Sequence, residues 1–97
     1  MNIEFQGFDW DLGNVEKNLR KHAVSCMEVE EVFQRKNYVF LDERHSTELE
    51  KRYVLFGETS KGRDLFVVFT MRGVKVRIIS ARPMSRKERN WYEKAKG

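Results

Sequence analysis

The chain has 97 residues, of which 40% are hydrophobic and 12% aromatic. This composition suits one folded domain with a single core and excludes a disordered segment. The formal net charge of +4 favours an anionic partner such as a nucleic acid. A single cysteine, Cys26, excludes an internal disulfide and a Cys-based zinc site and suits the cytoplasm. No apolar run is long enough for a membrane span or a signal peptide, so we expect one cytoplasmic domain over residues 1–97.

The N-terminal part of the chain predicts a strand and then a helix. Residues 1–8 alternate in polarity, as a strand does. The helix is expected to run to about His22, because less polar residues recur at i, i+3, i+7 and i+10. The residues of that stripe, expected to face the core, are Leu12, Val15, Leu19 and His22.

A second helix is predicted from Ser25 to about Arg35. Ser25 and Glu28 have the spacing of a capping box, in which each side chain bonds the other residue's backbone N–H. The apolar stripe that follows consists of Val29, Val32 and Phe33. The two helices are therefore expected to form a hairpin that covers one face of a sheet.

The C-terminal half predicts four strands and a closing helix. Strands are expected over residues 38–42 and 52–58, joined by a polar loop, and over residues 64–82 as a hairpin. Pro83 ends the last strand, and Ser85 with Glu88 makes a second capping box. The closing helix carries Trp91 and Tyr92, which suit docking onto the sheet. The order β-α-α-β-β-β-β-α predicts an α+β fold with a mainly antiparallel, twisted sheet.

The hairpin of residues 64–82 is expected to turn at Arg72-Gly73, because glycine supplies the positive φ of a tight turn. That turn would set Met71 opposite Val74 and Leu65 opposite Ser80. One face of the hairpin would then be apolar and face the core. The other face would carry Phe66, Val68, Thr70, Lys75, Arg77, Ile79 and Ala81.

Several arginines lie on or beside the predicted strands. A guanidinium group offers forked donors to phosphate oxygens, and RNA adds its own nucleophile, the 2′-hydroxyl. Taken one at a time, however, arginines are more typical of solvated surfaces, and His45 in its polar loop is expected to be simply exposed. The residues alone thus predict a basic domain with an anion-binding face, and no reaction.

Four segments resemble the BrnT family of ribonuclease toxins from bacterial type II toxin–antitoxin systems. They are WDLGNVEKNLRKHAVS, EKRYVLFG, GRDLFVVFT and RIISARPMSRKERNWYE. The resemblance implies a RelE/ParE-like fold and a metal-independent endoribonuclease without a cofactor, which halts translation by cutting RNA. It also implies a BrnA-like antitoxin with a DNA-binding ribbon-helix-helix domain, and a toxin homodimer within a heterotetramer.

The resemblance also places functional residues. Those it implies to be catalytic, with His22 for proton transfer and the arginines for phosphate binding, are His22, Arg52, Arg63, Arg77 and Arg82. Those implied to bind RNA are Lys17, Lys21, Lys75, Arg89 and Tyr92. Two positions depart from the family pattern: Asn14 replaces a lysine, and Ala23 replaces a glycine. The first removes a cation, and the second penalises a left-handed helix cap by roughly 1 kcal/mol.

Two other functions use the same basic face. A non-catalytic nucleic-acid-binding module would bind in a strongly salt-dependent way without cleavage products. A protein-interaction module would cover the apolar part of the face with a partner segment.

Overall fold

The computed structural model describes residues 3–97, which form an α+β fold with three α-helices and four strands. In chain order the elements are α1 (Leu12–His22), α2 (Cys26–Gln34), β1 (Asn37–Leu41), β2 (Arg52–Glu58), β3 (Asp64–Arg72), β4 (Lys75–Pro83) and α3 (Arg86–Ala95). One turn of 3₁₀ helix, Glu43–His45, lies between β1 and β2. The predicted fold class is confirmed.

The four strands form one antiparallel sheet in the order β1-β2-β3-β4. Helix α2 packs on one face through its predicted stripe, whose Val29, Val32 and Phe33 are buried. A Cβ built on Gly57 of β2 would lie 3.0 Å from the Val32 Cβ, so a side chain there would require Val32 to move by a few tenths of an ångström. The strand residues buried beneath the helix are Val39, Leu55, Leu65, Val67, Phe69, Val76, Ile78 and Ala81.

The predicted N-terminal strand is wrong for the part of it that the structure describes; Met1 and Asn2 lie outside that part. Residues 3–8 form no strand, and Phe8 makes one isolated parallel bridge with Val76 of β4. The physical reason is Gly7, whose φ of 109° interrupts the extended backbone. The segment still contributes apolar side chains at the margin of the core and covers part of the edge of β4.

The predicted inward stripe of α1 is also wrong. Leu12 is 83% exposed and Leu19 is 57% exposed, whereas the buried residue of this helix is Asn18. Helix α1 lies along β4, the edge strand of the sheet, rather than flat over apolar side chains. An edge strand presents unpaired backbone groups, which require polar partners.

The polar side of α1 supplies those partners. Three hydrogen bonds join its side chains to the β4 backbone: Asn14 Nδ2 donates to the Ile78 carbonyl (3.1 Å), Lys17 Nζ donates to the Ile79 carbonyl (3.3 Å), and the Ala81 N–H donates to Asn18 Oδ1 (3.1 Å). Helix α1 therefore protects the edge of β4.

The β3–β4 hairpin turns one residue later than expected. Gly73 and Val74 form the two-residue turn, and Arg72 pairs with Lys75. Gly73, with a φ of 62°, is the first turn residue rather than the second. The predicted pairs nearest the turn are therefore displaced by two residues, so that Met71 faces Val76 instead of Val74, and the pairs beyond the bulge described below are displaced by three. A two-residue displacement keeps the faces as predicted, because side chains alternate with period two.

A β-bulge changes the faces further along β4. Phe69 pairs with Ile78 and Val68 pairs with Ser80, so Ile79 has no partner on β3. Beyond this extra residue the alternation is reversed. Ala81, predicted on the outer face, is buried in the core, and the prediction that Ser80 faces the core is wrong.

Helix α3 packs against the other face of the sheet, at the end formed by β1 and β2. The Trp91 ring lies 5.3 Å from that of Phe40 and 4.8 Å from that of Phe56. Tyr92 is buried, and its hydroxyl lies 3.5 Å from Glu58 Oε1. The predicted docking role of both aromatic residues is confirmed.

Candidate functional site

The sheet face opposite α2, called the open face below, displays its residues in three rows across β2, β3 and β4. The pairing register gives the rows Arg52–Thr70–Arg77, Val54–Val68–Ser80 and Phe56–Phe66–Arg82. Since neighbouring strands lie about 4.8 Å apart, Arg52 and Arg77 are separated by about 10 Å between backbones. The bulge at Ile79 brings Arg82 to this face, because without it Arg82 would share the parity of the buried Ile78. Arg52 and Arg77 therefore lie at one end of these rows and Arg82 at the other, with apolar residues between them, and the next β3–β4 pair, Arg72 and Lys75, adds two cations beyond Arg77.

A shallow hollow of about 270 Å³ lies in the open face. Its wall is polar and its floor apolar. The lining residues are Asp42, His45, Arg52, Val54, Phe66, Val68, Ile79 and Ser80. An apolar floor accepts the face of a nucleobase, and the Arg52 guanidinium at its margin suits a phosphate.

Arg52 and Arg77 each have carboxylate partners. Arg52 Nε donates to Glu50 Oε1 (3.3 Å), and the Arg77 guanidinium contacts Asp9 Oδ2 (3.1 Å) and Asp11 Oδ2 (2.9 Å). The Arg52 side chain is 36% exposed and that of Arg77 is 25% exposed. Ion pairs with this much solvent contact contribute about 0–1 kcal/mol, so a phosphate can compete with them.

Arg82 is held more firmly. Its two terminal nitrogens contact both oxygens of Glu88, and its guanidinium carbon lies 4.4 Å from the centre of the Phe66 ring. The Arg82 guanidinium, together with the Ser85 N–H, holds the pKa of Glu88 below its ordinary value. Arg82 thus has a fixed direction over the aromatic end of the open face.

Arg63 lies elsewhere, at the junction of α1 and α2. Its Nη2 donates to the His22 carbonyl (2.8 Å), and its Nη1 donates to the Ala23 carbonyl (2.7 Å) and to Glu28 Oε2 (3.0 Å). His22 is the last residue of α1 and belongs to the same junction. Of the residues predicted to be catalytic, the structure brings Arg52, Arg77 and Arg82 to the open face and leaves Arg63 and His22 at the helix junction.

The residues predicted to bind RNA are dispersed. Lys17 donates to the Ile79 carbonyl, Arg89 donates to the Met84 carbonyl (3.1 Å), and Tyr92 is buried. Lys21 and Lys75 are exposed, and Lys75, paired with Arg72, lies on the open face two residues before Arg77. None of these five side chains lines the hollow.

Sequence reasoning missed the pair of Asp42 and His45. The His45 Nδ1 lies 2.8 Å from Asp42 Oδ2, and both residues line the hollow beside Arg52. The Ser46 hydroxyl donates to the Asp42 carbonyl (2.6 Å) and accepts from the Arg52 N–H (2.8 Å), which ties this 3₁₀ turn to β2. In the sequence, the i, i+3 spacing of Asp42 and His45 indicates that the two side chains can meet on one turn. That this turn faces the sheet follows only from the fold.

Two further observations concern the described residues alone. In that part of the chain, no group of three or more His, Cys, Asp or Glu side chains is placed to hold a metal ion. No described helix is both long and apolar enough to cross a bilayer.

Comparison with known proteins gives one family. The family model described as "Ribonuclease toxin, BrnT, of type II toxin-antitoxin system" matches residues 10–88. The crystal structure of the Brucella abortus ribonuclease toxin, BrnT, superposes with a TM-score of 0.63 at 23% identity, covering 84% of this chain and 99% of that one. At this identity the likeness concerns the fold. No curated protein sequence matches the chain.

Proposed function

Because the chain belongs to the BrnT family of type II toxin–antitoxin ribonuclease toxins, we propose that it is a metal-independent endoribonuclease that binds and cleaves RNA on its open face. The row that places Arg52 in register with Arg77, beside the hollow, carries this proposal. Cleavage by the 2′-hydroxyl needs no metal if cations stabilise the extra negative charge on the phosphorane oxygens and a side chain moves the proton.

The three arginines in the rows of the open face have different roles in the proposal. Arg52, at the margin of the hollow, contacts the scissile phosphate, and Arg77, whose backbone lies about 10 Å from that of Arg52, contacts another phosphate of the same strand. Arg82, fixed by Glu88 over Phe66, binds the backbone at the other end of the face. A preorganised charge contact of this kind contributes about 10²–10³-fold to a rate.

The family also implies an antitoxin, and we propose that it is BrnA-like, with a ribbon-helix-helix domain that binds operator DNA. The toxin then acts in the cytoplasm, inhibits translation by cutting RNA, and forms a homodimer within a heterotetramer when neutralised. Expression should arrest bacterial growth, and co-expression of the neighbouring gene should restore it. Harmless expression of the wild-type chain would contradict the toxin role.

The direct test is cleavage of labelled RNA by the purified protein in EDTA. We expect products with the wild type and a loss of about 10²–10³-fold in Arg52→Gln and Arg77→Gln. Arg20→Gln is the matched control, because Arg20 is exposed on α1 and pairs with Glu16 on the same helix. Thermal melting of each variant separates lost chemistry from lost folding.

The outcomes of this test discriminate between functions. Products that require added magnesium would contradict metal independence. Salt-dependent RNA binding without products would instead indicate a non-catalytic binding module. Neither binding nor cleavage, with the antitoxin bound at the open face, would indicate a protein-interaction module.

A further inference from the structure

We infer that His45, oriented by Asp42, is the proton-transfer group of the hollow. The inference rests on the proposed RNA cleavage and deepens it, since the sequence resemblance gave this role to His22. The arginines alone cannot carry out the reaction, because a guanidinium stays protonated and cannot take the proton of a 2′-hydroxyl. A neutral imidazole can.

The contact with Asp42 decides which nitrogen of His45 is available. An ionised carboxylate only accepts hydrogen bonds, so the proton of the imidazole lies on Nδ1, 2.8 Å from Asp42 Oδ2. The other nitrogen, Nε2, is then an acceptor. No hydrogen bond within the described chain engages it, and the His45 side chain is 62% exposed, so a substrate can reach it. This is the state a general base requires.

The charged residues around His45 come from its own 3₁₀ turn, which also carries Glu43 and Arg44, and from β2. Asp42 lies on its own turn, Arg52 reaches the hollow from β2, and Glu50 pairs with Arg52. The residues that β3 and β4 add to the lining carry no charge: Phe66, Val68, Ile79 and Ser80. Base, phosphate-binding cation and apolar floor therefore share one hollow of about 270 Å³, which suits one nucleotide of a single-stranded RNA.

The reaction balances without a co-reactant other than water. His45 Nε2 takes the proton of the 2′-hydroxyl, and the 2′-oxygen forms a bond to the phosphorus held by Arg52. The bond from phosphorus to the 5′-oxygen breaks, and that oxygen takes a proton from a solvent molecule in the open hollow. The imidazolium then releases its proton to water. The products are a 2′,3′-cyclic phosphate end and a 5′-hydroxyl end, with no change in oxidation state.

His22 does not lie beside both a phosphate-binding cation and an apolar floor, as His45 does. Its backbone carbonyl accepts from Arg63 at the α1–α2 junction, and it does not line the hollow. The two histidines of the chain are therefore alternative candidates, and substitution distinguishes between them.

The test is the cleavage of labelled RNA by the full-length protein and its variants, with a pH–rate profile for each. We expect His45→Asn to lower the rate constant by about 10²–10⁴-fold, more than His22→Asn does, and to remove the ascending limb of the profile. Asp42→Asn, which changes a positioning residue, should lower kcat and leave KM nearly unchanged. Glu43→Gln, on the same 3₁₀ turn, is the matched control for local disturbance.

Each outcome decides something. Wild type that cuts RNA, with His45→Asn equally fast or with His22→Asn more impaired, overturns the role of His45 and leaves the proposed function standing. Wild type that leaves RNA intact overturns both. Mass spectrometry of the products provides a separate check, because 5′-phosphate ends would exclude attack by the 2′-hydroxyl.

Discussion

The guanidinium of Arg82 and the carboxylate of Glu88 face each other in a forked pair, with Nη1–Oε1 at 2.7 Å and Nη2–Oε2 at 2.9 Å. Glu88 also accepts from the Ser85 N–H (2.8 Å) as part of the capping box that begins α3. One carboxylate therefore fixes both the cation at the end of the open face and the first turn of the helix that covers the neighbouring strands.

This double contact predicts a pH-dependent contribution to stability. The contacts hold the pKa of Glu88 below its ordinary value, so the contribution is complete above the unfolded pKa of about 4.3 and disappears as the pH falls through the folded value. We expect Glu88→Gln to lower the free energy of unfolding by about 1 kcal/mol at about pH 7, and by less at about pH 3.5. Urea denaturation at both pH values measures this. A difference that stays constant between them would contradict the linkage.

Arg63 predicts a structural effect. Its guanidinium binds the last carbonyls of α1 and the Glu28 carboxylate at the start of α2, so it joins the two helices to β3. We expect Arg63→Ala to lower the free energy of unfolding by about 2 kcal/mol, because several hydrogen bonds to a charged group are lost together. Lysine at this position should restore only part of the lost stability, since an ammonium group cannot reproduce the forked donors of a guanidinium.

Lys61→Ala is the control for Arg63, because Lys61 is an exposed residue of the preceding turn. Its substitution should change the free energy of unfolding by less than about 0.5 kcal/mol. Equal stability of Arg63→Ala and the wild type would show that the junction does not depend on Arg63.

The sequence predicted the features that are encoded locally. The capping boxes at Ser25 and Ser85 are present, and alternation along β3 gave the correct buried residues, from Leu65 to Phe69. The direction of α1 was not predictable in this way. The helix has an apolar stripe, but its polar side, which contains Asn18, packs against β4, because the unpaired backbone of that strand needs hydrogen-bond partners. The orientation of α1 therefore depends on the edge of the sheet and not on the sequence of the helix alone.

In the candidate site, too, some positions follow from the local sequence and others only from the fold. Arg52 and Arg77 could be assigned to one face from strand parity, whereas Arg82 reaches that face only because of the bulge at Ile79. No local signal in the sequence marks the position of this bulge. The polar loop around His45 predicts an exposed side chain without a function. Its position beside Arg52 depends on the Ser46 contacts that tie the loop to β2.

Asn18 provides a test of how α1 is held. Its Oδ1 accepts from the buried Ala81 N–H (3.1 Å), while its Nδ2 has no partner within the described chain. We expect Asn18→Ala to lower the free energy of unfolding by about 1–3 kcal/mol, because a buried donor loses its acceptor. Asn90→Ala, at an exposed position of α3, should change it by no more than about 0.5 kcal/mol. Urea denaturation distinguishes the two, and equal effects would contradict the contribution of the Ala81 bond.

Ala23 provides the last prediction. It ends α1 with φ 53° and ψ 38°, the left-handed conformation that glycine adopts without strain, and its N–H still donates to the Leu19 carbonyl (3.0 Å). Glycine would remove about 1–2 kcal/mol of strain from the folded state. It would also lower the free energy of unfolding by about 0.4–1 kcal/mol, because the unfolded chain gains entropy. We therefore expect Ala23→Gly to raise the free energy of unfolding by about 0.5–1 kcal/mol.

Ala95→Gly is the matched control for Ala23, because Ala95 is the last residue of α3 and lies in ordinary helical structure. That substitution should change stability in the opposite direction, since glycine costs up to about 1 kcal/mol in a helix and less at its end. Urea midpoints of both variants provide the comparison. A less stable Ala23→Gly would show that the left-handed strain at Ala23 is smaller than the entropic cost of glycine in the unfolded chain.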